Sequence, residues 1–550
     1  MRTRPFMLVF VATLMASPLA VRAQDHTAHM QGANHAEHSA MMVPLYDNLG
    51  DHHFEISTSS EEAQKYFDQG IRLTYAFNHD EAIRAFKEAA RLDPNCAMCY
   101  WGIALAHGPN INLPMDSTNG VAAWEALQEA LARREHANER ERAYIDALAV
   151  RYQNPPPADR AALDTAYANA MGMLAAADPN DLEAATLHAE ALMDLSPWYY
   201  WEKDGMPRPD TPTILENLER VIAANPNHPG ACHFYIHAVE AAEAEKGVAC
   251  AERLAALMPG AGHLVHMPAH IYIRVGRWND AIEMNHHATH ADETYIADQR
   301  PGGVYPVSYY PHNYHFLAFA ASMAGRSTEA IEAARNAAQR MPLEGALLAH
   351  ELEGIVPYEH LTLVRFGRWD DVLALPMPPA ELDYATGLVQ YARGVAFAAT
   401  GKFDEANAAV EALQALSAKV EKEPGNTVLS IAEHALMGEI ASRRGDLEEG
   451  ITHLRIAADI EDSLIYIEPP FWYYPMRHAL GAVLLDAGRA AEAEAAYRED
   501  LKRFPGNGWS LAGLAASLRA QGRGAEAAEV EAERMRTWDQ ADVDLATSRF

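Results

Sequence analysis

The feature of this sequence that most constrains its fold is a repeat of about 34 residues. A block that begins at Ala63 carries small residues, aromatic residues and a closing proline at offsets that a block beginning at Tyr474 reproduces. In the first block these positions are Tyr66, Gly70, Ala82, Phe86, Ala89 and Pro94. In the second block they are Leu480, Gly481, Ala493, Tyr497 and Pro505. Because small residues at fixed offsets let two helices touch, the repeat predicts stacked helix pairs.

These offsets resemble the tetratricopeptide (TPR) pattern. Glycine turns such as Gly276-Arg277-Trp278 and Gly367-Arg368-Trp369 separate amphipathic segments between the blocks. The resemblance implies an all-α TPR α-solenoid, one right-handed superhelix of about ten antiparallel helix pairs. We expect it to span residues 60–541, with a C-terminal tail at 542–550, rather than the several domains that 550 residues would otherwise suggest.

Aromatic and proline-rich insertions interrupt the repeat. They cover residues 107–120, 196–213 and 296–311, and a shorter aromatic stretch covers residues 468–475. Long loops in a repeat array can form a wall around a ligand or can plug the groove. The sequence leaves both roles open.

The N-terminus predicts export. Arg2 and Arg4 precede an apolar run to about Ala20, and small residues follow to Ala23. This is the pattern of a secretory signal peptide over residues 1–23, cut near Ala23. Since no later stretch reaches ~18 uninterrupted apolar residues, we expect a periplasmic or secreted chain without a membrane span.

Residues 24–59 lack apolar periodicity, and the sequence predicts a disordered tail there. The histidines and methionines of this tail are His26, His29, Met30, His35, His38, Met41 and Met42. Imidazole and thioether together suit copper. The tract resembles the His/Met-rich tails of bacterial periplasmic copper-resistance proteins, and a neutral polar linker is the alternative.

Histidine is concentrated in the middle of the chain, where 11 of the 26 histidines fall within residues 228–315. Five of them occupy related offsets in two neighbouring repeats: His263, His266, His270, His312 and His315. The first three lie within about 60° of one another on a helix that turns ~100° per residue. In the TPR family, first-helix positions line the concave groove, so the resemblance implies that the five histidines point into one cavity.

The preceding repeat adds His233, His237 and Glu240 at positions i, i+4 and i+7. A histidine pair at i and i+4 on a helix can bind one metal ion. These residues lie one position off the groove offsets, so the sequence leaves their direction open. Pro268 starts or kinks a helix, which would leave His263 and His266 on a helix or in an entry loop.

The predicted ligand of the groove is a metal ion, copper or zinc, or a small molecule. Three classes of function remain open: a metal-binding module in copper or other metal handling, a histidine-ligated metalloenzyme, and a TPR scaffold for a protein or peptide partner without a metal role. The sequence contains no zinc-protease, nucleophile-elbow or phosphate-loop motif in a suitable context, so it predicts no substrate.

The charge balance restricts the partners. Lys and Arg total 44 against 76 Asp and Glu, a formal net charge of −32. Such a surface repels phosphate backbones and attracts cations, so we expect no nucleic-acid binding.

Four cysteines are too few for a disulfide scaffold. Cys96 and Cys99 form a pair that is either a structural disulfide or a weak metal signal, whereas Cys232 and Cys250 have no evident local partner. Through residues 95–102, 262–272 and 310–316 the chain also resembles exported bacterial TPR proteins of unassigned activity. That resemblance implies no reaction.

Overall fold

A computed structural model describes residues 42–550. The described residues contain no β-strand, and their only β-pairings are the isolated bridges Asn110–Leu113 and Trp201–Pro207. The predicted all-α class is therefore confirmed.

The helices of the N-terminal half are α1 (Glu61–Tyr75), α2 (His79–Leu92), α3 (Ala97–Ala106), α4 (Ser117–Ala132), α5 (Glu139–Ala149), α6 (Ala161–Ala177), α7 (Leu182–Met193), α8 (Thr211–Ala224), α9 (Pro229–Val239), α10 (Ala244–Leu257), α11 (Gly262–His266), α12 (Pro268–Arg274) and α13 (Trp278–Gln299), with a short 3-10 helix at Arg134–His136. The helices of the C-terminal half are α14 (Tyr305–Met323), α15 (Ser327–Arg340), α16 (Leu343–Ala346), α17 (His350–Glu353), α18 (Tyr358–Arg365), α19 (Trp369–Ala374), α20 (Asp383–Ala399), α21 (Phe403–Ser417), α22 (Gly425–Arg444), α23 (Leu447–Ser463), α24 (Met476–Asp486), α25 (Ala490–Arg503), α26 (Gly508–Ala520) and α27 (Gly524–Thr537).

The repeat signature corresponds to one recurring contact between helices. Phe86 of α2 packs between Gly70 of α1 and Gly102 of α3, where a Cβ added to either glycine would lie 2.5 Å from the Phe86 ring. Tyr497 of α25 occupies the same place between glycines of α24 and α26. In these two pairs the aromatic ring of the second helix packs the pair against the next, which is why glycine and the aromatic residue recur together.

The C-terminal repeats fold back against the middle of the chain through tryptophan indoles. Trp278 donates to the Pro505 carbonyl at 2.9 Å, and Trp509 donates to the Ser322 carbonyl at 2.8 Å. Trp538, just after α27, donates to the Met323 carbonyl at 2.9 Å. These contacts join repeats that lie far apart in the sequence.

The structure differs from the predicted tail at its C-terminal boundary. Residues 42–59 have no helix, but they lie in an extended path along α1 with Leu49 and Phe54 buried. Arg72 of α1 donates to the His52 carbonyl at 2.7 Å. Disorder to residue 59 is therefore wrong for this segment, because its apolar side chains complete the core beside α1. The predicted signal peptide and residues 24–41 lie outside the described residues.

The predicted C-terminal tail at 542–550 also packs onto the solenoid. Asp542 accepts hydrogen bonds from the backbone N–H groups of Ser327 and Thr328 at the start of α15. Ser548 is fully buried and donates to the His478 carbonyl at 2.6 Å. The segment therefore belongs to the fold.

All four cysteines of the chain form disulfides. Cys96 pairs with Cys99 at the start of α3, the structural alternative left open by the sequence. Cys232 pairs with Cys250 and joins α9 to α10. The sequence did not indicate this second bond, because its partners lie on different helices of one pair.

Candidate metal centre

The predicted histidines come from the first helices of three successive pairs. His233 and His237 lie on α9, and His312 and His315 lie on α14. Between them, α11 and α12 carry the remaining three: His263, His266 and His270. Pro268 begins α12, and Met267 keeps helical backbone angles, so the chain breaks its hydrogen-bond ladder without forming a loop.

Triad I consists of His266, His270 and His312. The Nε2 atom of His266 lies 2.8 Å from Nε2 of His270 and 3.2 Å from Nε2 of His312. One nitrogen from each ring lies within 4.8 Å of the other two. His266 and His270 are buried, whereas His312 is partly exposed.

Triad II consists of His233, His237 and His263, and it is completely buried. Nε2 of His233 lies 3.1 Å from Nε2 of His263. The three ligand atoms again lie within 4.8 Å of one another. The histidines whose direction the sequence left open therefore point inward.

Glu240, at the C-terminal end of α9, lies between the two triads and is buried. Its Oε1 atom is 3.1 Å from Nδ1 of His237, and its Oε2 atom is 2.5 Å from Nδ1 of His270. Burial alone would raise the pKa of Glu240, but the contacts with His270 and His237 outweigh it and lower the pKa to about 2. The carboxylate therefore accepts an Nδ1–H from one histidine of each triad.

Hydrogen bonds at Nδ1 determine which nitrogen of each ring carries the proton. Asn285 of α13 donates its amide to the Ala281 carbonyl at 2.8 Å, which leaves its Oδ1 atom to accept from Nδ1 of His266 at 2.8 Å. His270 donates Nδ1–H to Glu240, so in the neutral form of both rings each Nε2 carries a lone pair. Two lone pairs face each other at 2.8 Å, an arrangement that a cation between them would stabilise.

Burial favours the neutral form of five of the six imidazoles, those of His233, His237, His263, His266 and His312. It lowers the pKa of His266 well below its usual range, and the neighbouring His270 and His312 lower it further. Burial likewise lowers the pKa values of His233, His263 and His312 well below the usual range. Neutral imidazole is the form that binds transition metals.

Three of the insertions meet at this centre. Trp198, in the 196–213 insertion, packs edge-on against His237 with ring centroids 5.0 Å apart. Its indole donates to Oδ1 of Asn112, in the 107–120 insertion, at 3.1 Å. Tyr309, in the 296–311 insertion, lies 4.8 Å from His263. The insertions thus pack around the histidines, and both roles that the sequence left open remain compatible with these contacts.

The close approach of α11 and α13 depends on Gly262. A Cβ at this position would lie 1.9 Å from Oδ1 of the buried Asp292. Asp292 accepts hydrogen bonds from Tyr305 at 2.8 Å and Asn313 at 2.7 Å. Burial raises the pKa of Asp292 to about 7. This network joins α11, α13 and α14 behind the triads.

His315 is the predicted site residue that the structure leaves out of both triads. Its ring packs against Tyr358 of α18 at 4.2 Å, and burial lowers its pKa to about 3. Three residues after His312, it lies about 60° farther round α14 and contacts the next repeat. The structure therefore does not bring His315 together with the other predicted ligands.

Sequence reasoning missed several residues of the centre. Asn285 orients His266, Phe316 packs against His266 and His270, and Phe77 packs against His233 and His263. Phe77 lies in the α1–α2 turn, and only the folding of the first repeat against α9 brings it here. No spacing in the sequence signals that contact.

The predicted tail ligands cannot be compared with the centre. Met42 is described and is 90% exposed. The other six lie outside the described residues: His26, His29, Met30, His35, His38 and Met41.

No helix between residues 42 and 550 combines the length and hydrophobicity that crossing a membrane requires.

No family model and no curated protein matches the chain. Among solved structures it is similar to a human IFIT1 dimer with m7Gppp-AAAA, at 14% identity and a TM-score of 0.33, over 95% of this chain and 96% of that one. It is also similar to the APC/C hetero-tetramer Cut9-Hcn1, at 13% identity and a TM-score of 0.29, over 87% of this chain and 74% of the other. The RNA in the IFIT1 structures belongs to that protein, and the absence of nucleic-acid binding here stays a prediction. At these TM-scores the comparisons carry no argument about function. The helix pairs and the aromatic rings between them make the chain an all-α helical repeat protein in fold.

Proposed function

We propose that this protein binds a transition-metal ion, copper or zinc, through triad I. The observation that carries the proposal is the pair of buried Nε2 atoms of His266 and His270, which face each other at 2.8 Å. Outward hydrogen bonds to Asn285 and Glu240 hold both rings in this orientation. Metal-ligating histidines characteristically donate their other N–H to such acceptors.

The ligand chemistry supports copper or zinc. Imidazole nitrogen suits zinc and copper, and no thiolate is available because all four cysteines are in disulfides. The disulfides also favour an oxidising compartment, in agreement with the predicted export. The net charge of −32 would raise the local concentration of cations.

A role in copper or other metal handling outside the cytoplasm follows as part of this proposal. In it the histidines and methionines of residues 24–42 collect metal ions for the centre. The partial exposure of His312 favours the metalloenzyme alternative, because catalytic metal sites keep one coordination position open. The scaffold alternative is supported by the helical repeat fold alone.

The test is the metal content of the mature chain, purified from the periplasm without an affinity tag and measured by elemental mass spectrometry. The variant is His266→Gln with His270→Gln, and the matched control is His315→Gln, a neighbouring histidine outside the triads. We expect the double variant to lose an ion that the control retains. A third variant replaces the four tail histidines with alanine.

Metal lost only from the tail variant would contradict a metal site in triad I. Absence of metal from the wild-type protein, even after reconstitution with zinc or copper salts, would also contradict it. Circular dichroism of each variant checks that the helical fold is retained.

A further inference from the structure

Triad II is a second cluster of potential ligands, and it shares no residue with triad I. His233 and His237 are one helical turn apart on α9, and His263 reaches them from α11. All three side chains are at most 2% exposed. Three neutral imidazoles buried this deeply need either hydrogen-bond donors or a cation for their lone pairs.

The protons of triad II point away from its centre. Nδ1 of His233 lies 2.7 Å from the Tyr75 carbonyl, which can only accept, so this nitrogen carries the hydrogen. Nδ1 of His237 donates to Glu240 in the same way. Nε2 of both rings therefore carries a lone pair.

One of these lone pairs has no partner. Among residues 42–550, Nε2 of His237 is buried without a hydrogen bond. Nε2 of His233 faces Nε2 of His263 at 3.1 Å, so one donor at most can lie between them. A metal ion would satisfy all three nitrogens at once.

The backbone around triad II is strained at two aromatic residues. Phe77 has φ +55° and Trp198 has φ +65°, in a region that bulky side chains rarely adopt. Both rings pack on the triad: Phe77 lies 4.6 Å from His233, and Trp198 lies 5.0 Å from His237. Such strain persists where surrounding structure imposes it, and it concentrates at functional sites.

Glu240 connects the two triads, because it accepts one Nδ1–H from His237 and one from His270. A change at this carboxylate would therefore alter one ligand in each triad. A shared acceptor of this kind orients both ligand sets with a single side chain.

We propose that the protein holds two transition-metal ions, one in each triad, and that Glu240 couples the affinities of the two sites. The second ion in triad II extends the proposed function, since it takes that function's ion in triad I as the first. The site in triad II is the more enclosed of the two, and its ligands are three imidazole nitrogens. It therefore suits zinc or copper rather than calcium or magnesium, which prefer oxygen ligands.

The experiment counts ions in the full mature chain with the four tail histidines replaced by alanine. The apo protein is titrated with zinc chloride alone and analysed by native mass spectrometry. We expect two ions in this background, one after His233→Gln with His263→Gln, one after His266→Gln with His270→Gln, and none when all four changes are combined. His315→Gln is the matched control and should retain two.

Glu240→Gln should weaken both sites, each by about 10- to 100-fold, as changes to partners of ligating histidines do. A change at only one site would contradict the coupling.

The outcomes separate this proposal from the one on which it rests. One ion in the tail-substituted background, unaffected by the triad II variant, overturns the second site and leaves triad I intact. An ion lost with the triad II variant but not with the triad I variant overturns the site in triad I. The count in the background itself needs no substitution in either triad, so it stays informative even where a variant fails to fold.

Discussion

Two buried histidine clusters in this molecule contain the same residue types but have opposite hydrogen-bond arrangements. The first comprises triads I and II with Glu240. The second, which we call the anchor cluster, comprises His52, Glu183 and His228, and its ligand atoms also lie within 4.8 Å of one another. By composition and spacing alone, both would qualify as metal sites.

In the anchor cluster the imidazole proton of His228 points inward. Nδ1 of His228 accepts the backbone N–H of Ala231 at 3.1 Å and caps α9. Its Nε2 must then carry the hydrogen, which it donates to Glu183 at 3.1 Å. His52 lies 3.0 Å from the same carboxylate, and Tyr75 donates to its other oxygen. Within the described part of the chain, Nε2 of His52 is buried without a hydrogen bond, and its close contact with Glu183 attaches the extended segment 42–59 to the solenoid.

The direction of the Nδ1 hydrogen bond, rather than the number of histidines, separates the two proposed metal sites from the anchor cluster. Where Nδ1 donates outward, Nε2 lone pairs converge. Where Nδ1 accepts, Nε2 is a donor and a carboxylate satisfies it.

The largest expected difference between the clusters is the response to zinc. Zinc at about 100 times its Kd stabilises a one-site protein by about 2.7 kcal/mol. His237→Gln with His270→Gln, one change in each triad, should abolish most of this stabilisation, whereas His52→Gln with His228→Gln should retain it. Thermal melts with zinc and with chelator measure both. An equal loss in the two variants would show that the clusters do not differ in this way.

The next effect is on the stability of the metal-free protein. His228→Ala removes a helix cap and one of the hydrogen-bond donors to the buried Glu183, so we expect a loss of roughly 2–3 kcal/mol. Urea unfolding in chelator measures it. His290→Ala, at an exposed position of α13, is the control and should stay within about 0.5 kcal/mol of wild type. Equal losses of unfolding free energy in both variants would contradict a structural role for the anchor cluster.

The next and smaller effect is the pH dependence of the stability of the metal-free protein. Burial lowers the pKa of His263 in the folded state well below its value of about 6.5 in the unfolded chain. The unfolded state therefore binds a proton first as pH falls below about 6.5, and stability decreases with it until the folded pKa is reached. His263→Gln should flatten this decrease by up to about 1.4 kcal/mol per pH unit. Chemical unfolding between pH 7 and pH 5 tests it, and an unchanged slope would contradict a neutral, buried His263.

The smallest effect concerns the residues that orient the clusters. Asn285→Ala removes the acceptor for Nδ1 of His266, and we expect zinc to bind triad I about tenfold more weakly. Thr186→Ala is the matched control, because Thr186 contacts His228 of the anchor cluster at 3.4 Å. Isothermal titration with zinc compares them. A tenfold effect from Thr186→Ala as well would indicate a general loss of packing.

The fold was predictable because its contacts are local. Gly70, Phe86 and Gly102 meet within one repeat and the next, so their contacts follow from the repeat period of the sequence. The path of residues 42–59 could not be predicted from the sequence. Leu49 and Phe54 are buried by a surface that exists only after α1 has folded.

The candidate centre was predictable for a related reason, since equivalent offsets in neighbouring repeats face the same groove. On this basis the sequence placed His263, His266 and His312 near one another. The argument did not hold for His315, where a rotation of about 60° directs the ring to Tyr358. It could not reach Phe77 or Asn285, and it could not assign tautomers, because these depend on the curvature of the assembled superhelix.

The tryptophan contacts between the middle and C-terminal repeats have a consequence for how the molecule unfolds. An open array of repeats can lose its end units one at a time, because each contacts only its neighbours. Here Trp278, Trp509 and Trp538 each donate to a carbonyl of a distant repeat. Fraying of the C-terminal helices would break these long-range hydrogen bonds. The C-terminal helices and the middle repeats are therefore expected to unfold together. We therefore expect one cooperative transition, with the histidine-bearing repeats protected by a part of the chain more than two hundred residues away.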